Sequence, residues 1–236
     1  MPRPNSTYIT KPQWDDPKKV HSREETILQT CHDYLGDRID PDRQYWTLAG
    51  SYCSKDHEMT QDNLELNQLI HSGIIEENQY HGVDLNASII ENNKILYPNV
   101  NWHHGDFLKV MKNFDDFNPG FINYDGVMQK YFGVKYLRDI LRFLDYNVNQ
   151  KLVLTANFCL NNPYKKAYNI DDGDAIFESL KRIYRIPSHW LVKPSYYCYN
   201  GSGQKSKSWM ATLVMVKEEH DCENVEFKEE IRFLEE

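Results

Sequence analysis

Residues 80–107 of this chain are YHGVDLNASIIENNKILYPNVNWHHGDF, and they predict a strand, a helix and a second strand. The first strand ends in Gly82-Val83-Asp84. Apolar residues at helical spacing follow it, namely Ile89, Ile90, Ile95 and Leu96. Pro98-Asn99 then interrupts the helix, and a second strand at 100–103 leads into Gly105-Asp106. This order predicts a βαβ unit of a parallel sheet.

An acidic residue follows each of the two strands. In open parallel sheets, ligands bind beyond the carboxyl ends of the strands, so Asp84 and Asp106 are expected near each other at a binding crevice. A carboxylate accepts hydrogen bonds from hydroxyl and amino groups. We therefore expect Asp84 to bind the hydroxyls of a ribose and Asp106 to bind the amino group of an adenine. The same two acids can instead cap helices or turns.

Further strands are predicted before and after this unit. They are Tyr45-Trp46-Thr47-Leu48-Ala49, a strand beginning at Gly120, residues 151–158, residues 190–199 and residues 209–216. The last two are expected to form an antiparallel hairpin, joined by the basic loop NGSGQKSKS. A dinucleotide dehydrogenase continues with parallel βα units instead, so the hairpin argues against that class.

The order of these pieces resembles the class I S-adenosylmethionine-dependent methyltransferases over roughly Tyr45 to Lys217. The resemblance implies an α/β, Rossmann-like, doubly wound fold with a mostly parallel seven-stranded sheet and a C-terminal antiparallel hairpin. It also implies S-adenosylmethionine as cofactor. In that family the acid after the second strand holds the ribose and an acid after the third holds the adenine. The cofactor-binding residues implied here are Ala49, Gly50, Ser51, Asp84, Leu85, Asp106 and Phe107.

The glycine-rich turn after the first strand departs from the family pattern. The family has an acid and several spaced glycines there, which let the backbone approach the cofactor. This chain has Gly50 alone, without a preceding acid. The alternative is therefore a degenerate member that keeps the fold as a binding or scaffold module without turnover.

The polar turn after the fourth strand is the candidate acceptor site. Amino-group methyltransferases that act on nucleic acids have Asp or Asn, two prolines and an aromatic residue at this point. Here the residues are Asn123-Tyr124-Asp125-Gly126, with no proline. We expect Asp125 to act as a base or to orient the nucleophile, with Asn123 and Tyr124 facing the acceptor. Alternatively, Asp125 caps the next helix.

Charge is distributed unevenly along the chain. The net charge of the 236 residues is −8, yet residues 130–217 contain 14 Lys/Arg against 6 Asp/Glu, and the remainder has a net charge of −16. A basic half favours a nucleic acid, RNA or DNA, as the acceptor, although ordinary solvated surface has the same composition. Interleaved aromatic and basic residues suit nucleic-acid binding. The candidate substrate-binding residues are Asn157, Tyr164, Lys165 and Lys166. A small molecule or a protein is also an open choice of acceptor.

The sequence predicts one main domain with two additions. The main domain is the methyltransferase-like domain at 45–217. The additions are an N-terminal arm and helix at 1–44, which is a candidate lid, and an acidic C-terminal extension at 218–236. The five cysteines are scattered without a CxxC pair, which favours free thiols and a cytoplasmic protein. No apolar run is long enough for a membrane helix. The spacing of His57, Glu58, His71 and His81 matches no standard ligand pattern, so no metal is expected.

Overall fold

The computed structural model of the chain describes residues 27–49, 64–125, 130–159, 182, 185–199 and 208–219. The strands are β1 Gln44–Leu48, β2 Tyr80–Asp84, β3 Asn101–His104, β4 Pro119–Tyr124, β5 Leu152–Cys159, β6 Leu191–Tyr199 and β7 Ser208–Lys217. The helices are α1 Gln29–Leu35, α2 Leu64–His71, α3 Ala87–Leu96, α4 Phe107–Lys112 and α5 Lys130–Asn147, with a 3-10 turn at Glu77–Gln79.

All seven strands form one sheet in the order β3-β2-β1-β4-β5-β7-β6. The first five strands pair in parallel, and β7 runs antiparallel between β5 and β6. This arrangement confirms the predicted fold class, including the C-terminal hairpin. The strand order reverses between β1 and β4, and this is the point at which an open α/β sheet forms its ligand crevice.

Helices cover both faces of the sheet because successive side chains of each strand point to opposite sides. On one face, Tyr45 and Phe121 pack with Cys31 of α1 and Leu66 of α2. We call this the α2 face. On the other, the α5 face, the core is completed by Trp46 and Ile122 of the sheet and by side chains from α4 and α5: Phe107, Leu108, Met111, Leu137, Ile140, Leu141 and Leu144. Each of these buried side chains contributes roughly 1.5–3 kcal/mol, which holds the sheet rigid beneath the site.

Several predicted elements differ from the observed ones at their ends. The helix expected over 55–78, with a break near Gly73, is described at Leu64–His71, and residues 55–63 lie outside the described residues. The predicted break is confirmed, because Gly73 has a φ of 72°, a left-handed conformation suited to glycine. The amphipathic helix expected over 135–144 extends to Lys130–Asn147. A helix expected over 174–184 lies almost wholly outside the described residues.

Two glycines shape the βαβ unit at its carboxyl end. A Cβ on Gly82 would lie 2.3 Å from the ring of Trp102, so only glycine lets β2 and this tryptophan approach so closely. Gly105 has a φ of 148° and donates its N–H to the Asp84 carbonyl at 2.9 Å. This turn brings Asp106 next to the end of β2.

Candidate functional site

The carboxyl edge of the parallel strands brings together the polar residues that the sequence singled out. Asp84 ends β2 and pairs in register with His104 at the end of β3. Asp106 and Asp125 follow β3 and β4, and Asn157 lies near the end of β5. Because these strands are parallel neighbours, their ends form one continuous edge on both sides of the β1–β4 reversal.

Asp84 is fixed by the turn that begins α3. Its Oδ1 accepts the N–H of Asn86 at 2.7 Å, and the Asn86 side chain in turn accepts the N–H of Ser88 at 3.0 Å as the helix N-cap. Burial raises the pKa of the Asp84 carboxyl, while the backbone N–H groups of Asn86 and Leu85 and the nearby His104 oppose that rise. A carboxylate has about four acceptor positions, so this turn leaves the group able to accept from a diol as well.

Asp106 caps α4. Its Oδ1 accepts the N–H of Lys109 at 3.0 Å, and the Tyr136 hydroxyl hydrogen-bonds the same carboxylate. That hydroxyl also accepts the N–H of Leu108 at 2.8 Å. The capping alternative is therefore observed for this acid, whose orientation is set by α4 and by Tyr136 of α5. Sequence analysis did not identify Tyr136, since nothing in an amphipathic helix distinguishes one outward tyrosine from another.

Leu85 and Phe107, both predicted to bind the cofactor, have opposite environments. Leu85 is 74% exposed directly after Asp84, whereas Phe107 is 3% exposed and packs against Tyr124 with ring centroids 5.6 Å apart. Leu85 thus presents an apolar surface at the edge, and Phe107 supports Asp106 from the core. Ala49 is buried, and its N–H donates to the Val83 carbonyl at 2.8 Å. Gly50 and Ser51 lie outside the described residues.

The three residues expected to face the acceptor lie on two faces of the sheet and differ in exposure. Asn123 is only 2% exposed and lies on the α2 face. Tyr124 is buried on the α5 face, and burial raises its pKa to about 12. Asp125 follows the last strand residue and is exposed at the edge. Side-chain alternation along a strand explains why consecutive residues separate in this way. Burial thus distinguishes Asn123 and Tyr124 from the exposed Asp125, and the role of these residues at the acceptor stays a prediction.

Two hydrogen-bonded chains of the same composition cross the α2 face. In the first, Thr155 Oγ1 donates to Asn123 Oδ1 at 2.8 Å and Asn123 Nδ2 donates to Glu65 Oε2 at 2.8 Å. In the second, Thr212 Oγ1 donates to Asn157 Oδ1 at 2.5 Å and Asn157 Nδ2 donates to Asp125 Oδ1 at 2.9 Å. We call them the inner chain and the edge chain. Sequence analysis missed Thr212 and Glu65, because their partners are distant along the sequence.

Three predicted substrate-binding residues, Tyr164, Lys165 and Lys166, lie outside the described residues. Within the described ranges, no group of three His, Cys, Asp or Glu side chains is arranged to hold a metal ion. His81, one of the histidines considered for such a site, instead faces His103, with His81 Nδ1 3.1 Å from His103 Nε2, and stacks on Trp46. Among the same residues, no helix is long and apolar enough to cross a membrane.

Comparison with known proteins places the fold among methyltransferases. No family model and no curated protein match the chain. Among solved structures, the N-methyltransferase NodS from Bradyrhizobium japonicum matches with a TM-score of 0.50 and 8% identity, over 85% of this chain and 97% of that chain. A precorrin-6y C5,15-methyltransferase from Geobacter metallireducens matches with a TM-score of 0.47 and 13% identity, over 89% of this chain and 93% of that chain. A putative RNA methyltransferase from Pyrococcus horikoshii matches with a TM-score of 0.48 and 8% identity, over 89% of this chain and 91% of that chain. Together with the strand order, the NodS match shows the class I methyltransferase fold.

Proposed function

We propose that this chain, which has the class I methyltransferase fold, is a methyltransferase that uses S-adenosylmethionine. The observation on which this rests is the exposed Leu85 beside the carboxylate of Asp84, at the carboxyl end of β2 and next to the strand reversal. A large apolar side chain that is mostly exposed next to a held acid suits a ligand with a flat ring and a diol. A nucleoside has both.

Each cofactor-binding residue is assigned a role on this basis. Asp84 accepts hydrogen bonds from the ribose hydroxyls, and Leu85 covers one face of the adenine. Asp106, oriented by Lys109 N and the Tyr136 hydroxyl, accepts from the adenine amino group. The main chain at Ala49, Gly50 and Ser51 approaches the methionine part. When bound, the cofactor supplies a methyl group on a positively charged sulfur, and the protein's task is to align the acceptor with it.

The acceptor side of the site is the edge chain and the basic half of the sequence. Asp125 is the exposed carboxylate at the end of β4, on the side of the reversal away from Asp84. Residues 130–217 have 14 Lys/Arg against 6 Asp/Glu, and we therefore propose a nucleic acid as acceptor, with Tyr164, Lys165 and Lys166 contacting it. We also propose that the protein is cytoplasmic, because its five cysteines are scattered along the sequence without a CxxC pair.

The proposed organisation of the chain keeps three parts, 1–44, 45–217 and 218–236. The helix α1 belongs to the first part, and its Cys31 is fully buried in the core of the α2 face. Burial also raises the pKa of this thiol far above its ordinary value. The proposed lid is therefore confined to the residues before α1.

A second function, a binding module without turnover, is favoured by one specific observation. The turn after β1 has Gly50 alone where the family has several glycines, and the 123–126 turn lacks prolines. The scaffold function does not require a working nucleoside site, so absence of cofactor binding, or binding without turnover, would favour it over the methyltransferase function.

Calorimetric titration with S-adenosylmethionine and S-adenosylhomocysteine tests the proposal. We expect micromolar binding, weakened by about 1–3 kcal/mol in Asp84→Ala because polar groups of the ligand lose their partner. Leu85→Ala is expected to cost about 1 kcal/mol through lost apolar contact. Ile95→Ala is the matched control, because Ile95 is a similarly exposed aliphatic residue, 77%, on α3 away from the edge. It is expected to leave binding unchanged.

The possible outcomes separate the two functions. No binding at millimolar ligand would overturn the methyltransferase proposal. Binding with methyl transfer to pooled cellular RNA or DNA from radiolabelled cofactor would support it with a nucleic-acid acceptor. Binding without transfer to any nucleic acid, protein or small-molecule fraction would favour the scaffold function.

A further inference from the structure

The edge chain links three strands at the place where the acceptor is proposed to bind. Asn157 and Thr212 are direct cross-strand partners in the antiparallel pairing of β5 with β7. On the other side, Tyr124 pairs with Ala156, which brings the following residue, Asp125, beside Asn157. Three polar side chains therefore form a single row across β4, β5 and β7, and the row ends in an exposed carboxylate.

The hydrogen bonds of the edge chain have a fixed direction. An ionised carboxylate only accepts, so the amide of Asn157 must turn its Nδ2 toward Asp125 and its Oδ1 away. The Thr212 hydroxyl donates to that Oδ1 at 2.5 Å, and this bond is possible only in the same orientation of the amide. Because Thr212 is 1% exposed, packing holds its hydroxyl oxygen in place. The carboxylate of Asp125 sets the direction of the row, and the Thr212 hydroxyl, which can donate or accept, holds the Asn157 amide beside that carboxylate.

We infer that Thr212 and Asn157 are positioning residues that aim the Asp125 carboxylate at the methyl-transfer position, and that the acceptor atom is a nitrogen or oxygen that donates a hydrogen bond to Asp125. The inference rests on the proposed function and deepens it. It also reassigns Asn157, which the sequence placed in direct contact with the substrate. The inner chain shows that this Thr-Asn-acid arrangement holds a carboxylate in place within this same sheet.

The chemistry of the step follows from the polarity of the edge chain. The acceptor nitrogen or oxygen uses its own electron pair to form the new bond to the methyl carbon. The carbon–sulfur bond breaks, and its electron pair goes to the positively charged sulfur, which becomes neutral. The proton that the acceptor loses passes to Asp125 and then to water. An acceptor carbon offers only a weak donor, so the edge chain favours nitrogen or oxygen acceptors.

Sinefungin tests this geometry without knowledge of the acceptor. It is an analogue of the cofactor in which a carbon bearing an ammonium group replaces the sulfur bearing the methyl group. Its N–H donors therefore occupy the position of the transferred methyl and its acceptor. The quantity to measure is the ratio of the Kd of S-adenosylhomocysteine to the Kd of sinefungin, because the homocysteine product lacks that group and serves as internal reference.

We expect the wild-type protein to prefer sinefungin by about tenfold, the size of one charge-assisted hydrogen bond. Asp125→Asn should abolish this preference, and Thr212→Val and Asn157→Ala should each reduce it severalfold, while the affinity for S-adenosylhomocysteine stays within about twofold. Thr212→Ser keeps the hydroxyl and should restore the preference. A purely structural role would change both affinities together.

Three results would overturn the inference. An unchanged ratio in Asp125→Asn would show that this carboxylate does not face the transfer position. An effect of Asp125→Asn without any effect of Thr212→Val or Asn157→Ala would remove the positioning roles. Absence of S-adenosylhomocysteine binding in the wild type would overturn the proposed function itself, and is thereby distinguished from the first two results.

Discussion

The inner chain and the edge chain each consist of a threonine, an asparagine and an acidic residue in the same order, yet they have different surroundings. Both run from a buried threonine through an asparagine to a carboxylate on the α2 face of one sheet. The inner chain is enclosed: Asn123 is 2% exposed, and the second oxygen of the Glu65 carboxylate accepts the Tyr45 hydroxyl at 2.8 Å. The edge chain ends at Asp125, which is exposed beyond the last residue of β4.

The difference shows that the position of a hydrogen-bonded chain in the sheet determines how much breaking it costs and whether it can contact a ligand. In the interior, a hydrogen-bonded polar chain gains little over water but is costly to break, because water cannot replace a missing partner. At the carboxyl edge the same chain costs less to disturb, and its terminal carboxylate can meet a ligand. We therefore expect the inner chain to contribute to stability and propose that the edge chain contributes to binding.

The largest effect is expected from truncating the two asparagines in parallel. Asn123→Ala removes the amide that bonds both Thr155 and Glu65, and leaves the buried Thr155 hydroxyl and the half-buried Glu65 carboxylate without this partner. We expect a loss of about 3 kcal/mol in the free energy of unfolding. Asn157→Ala is the matched control, because its half-buried position admits water, and the expected loss is about 1 kcal/mol or less. Urea unfolding monitored by tryptophan fluorescence measures both. Equal losses would contradict the separation of the two chains.

A second effect comes from the histidine pair, which tests whether the interior tolerates a new charge. His81 is 3% exposed, with its Nδ1 3.1 Å from His103 Nε2. Burial, and then the neighbouring His103, lower the pKa of His81 to about 3, and burial with Lys94 lowers that of His103. The unfolded chain, with a histidine pKa near 6.5, thus binds protons more readily than the folded protein. This contribution to stability is complete above pH 6.5 and is lost as the pH falls toward 3.

At pH 5 the expected loss from His81 alone is about 2 kcal/mol relative to pH 7, because each pH unit below the unfolded pKa costs about 1.4 kcal/mol. His81→Gln keeps a hydrogen-bonding side chain without a group that titrates in this range. We therefore expect its unfolding free energy to vary less with pH between 7 and 5. The urea midpoints of wild type and variant at several pH values measure this. Parallel pH profiles would show that this pair is not the source of the acid sensitivity.

The sequence predicted the sheet well because each strand is indicated by its own residues and by the turn residues directly after it. Apolar runs with turn residues after them locate β2 and β3, and Gly105-Asp106 marks the end of the βαβ unit. The acids at the carboxyl ends were predictable for the same reason. Leu85 and Phe107 were expected to play one role, yet they differ because α4 turns Phe107 into the core. The burial of Leu85 and Phe107 depends on how the helices pack on the sheet, which the local sequence pattern does not determine.

The site residues that were missed depend on pairing between distant strands. Asn123 was grouped with Asp125 because the two are near in sequence, although a strand residue and the residue beyond the strand have different exposure. Thr212 meets Asn157 only through the antiparallel register of β5 with β7, 55 positions away. A shift of one residue would turn Thr212 to the other face. Such a register is set by the whole hairpin and cannot be inferred from the residues around Thr212.

The smallest effect is expected from replacing the two threonines, Thr155 and Thr212. It gives the most direct comparison of the inner chain with the edge chain, because the two threonines are equally buried. Thr155 is 0% exposed and Thr212 is 1% exposed, and each donates one hydroxyl hydrogen bond to an asparagine. Thr155→Val and Thr212→Val should therefore cost the same, about 1 kcal/mol each in the free energy of unfolding. The two variants should differ only in ligand binding, where Thr212→Val lowers the preference for sinefungin and Thr155→Val does not. If Thr155→Val lowered the preference equally, the inner chain would be coupled to the site, and position in the sheet would no longer explain the division of roles.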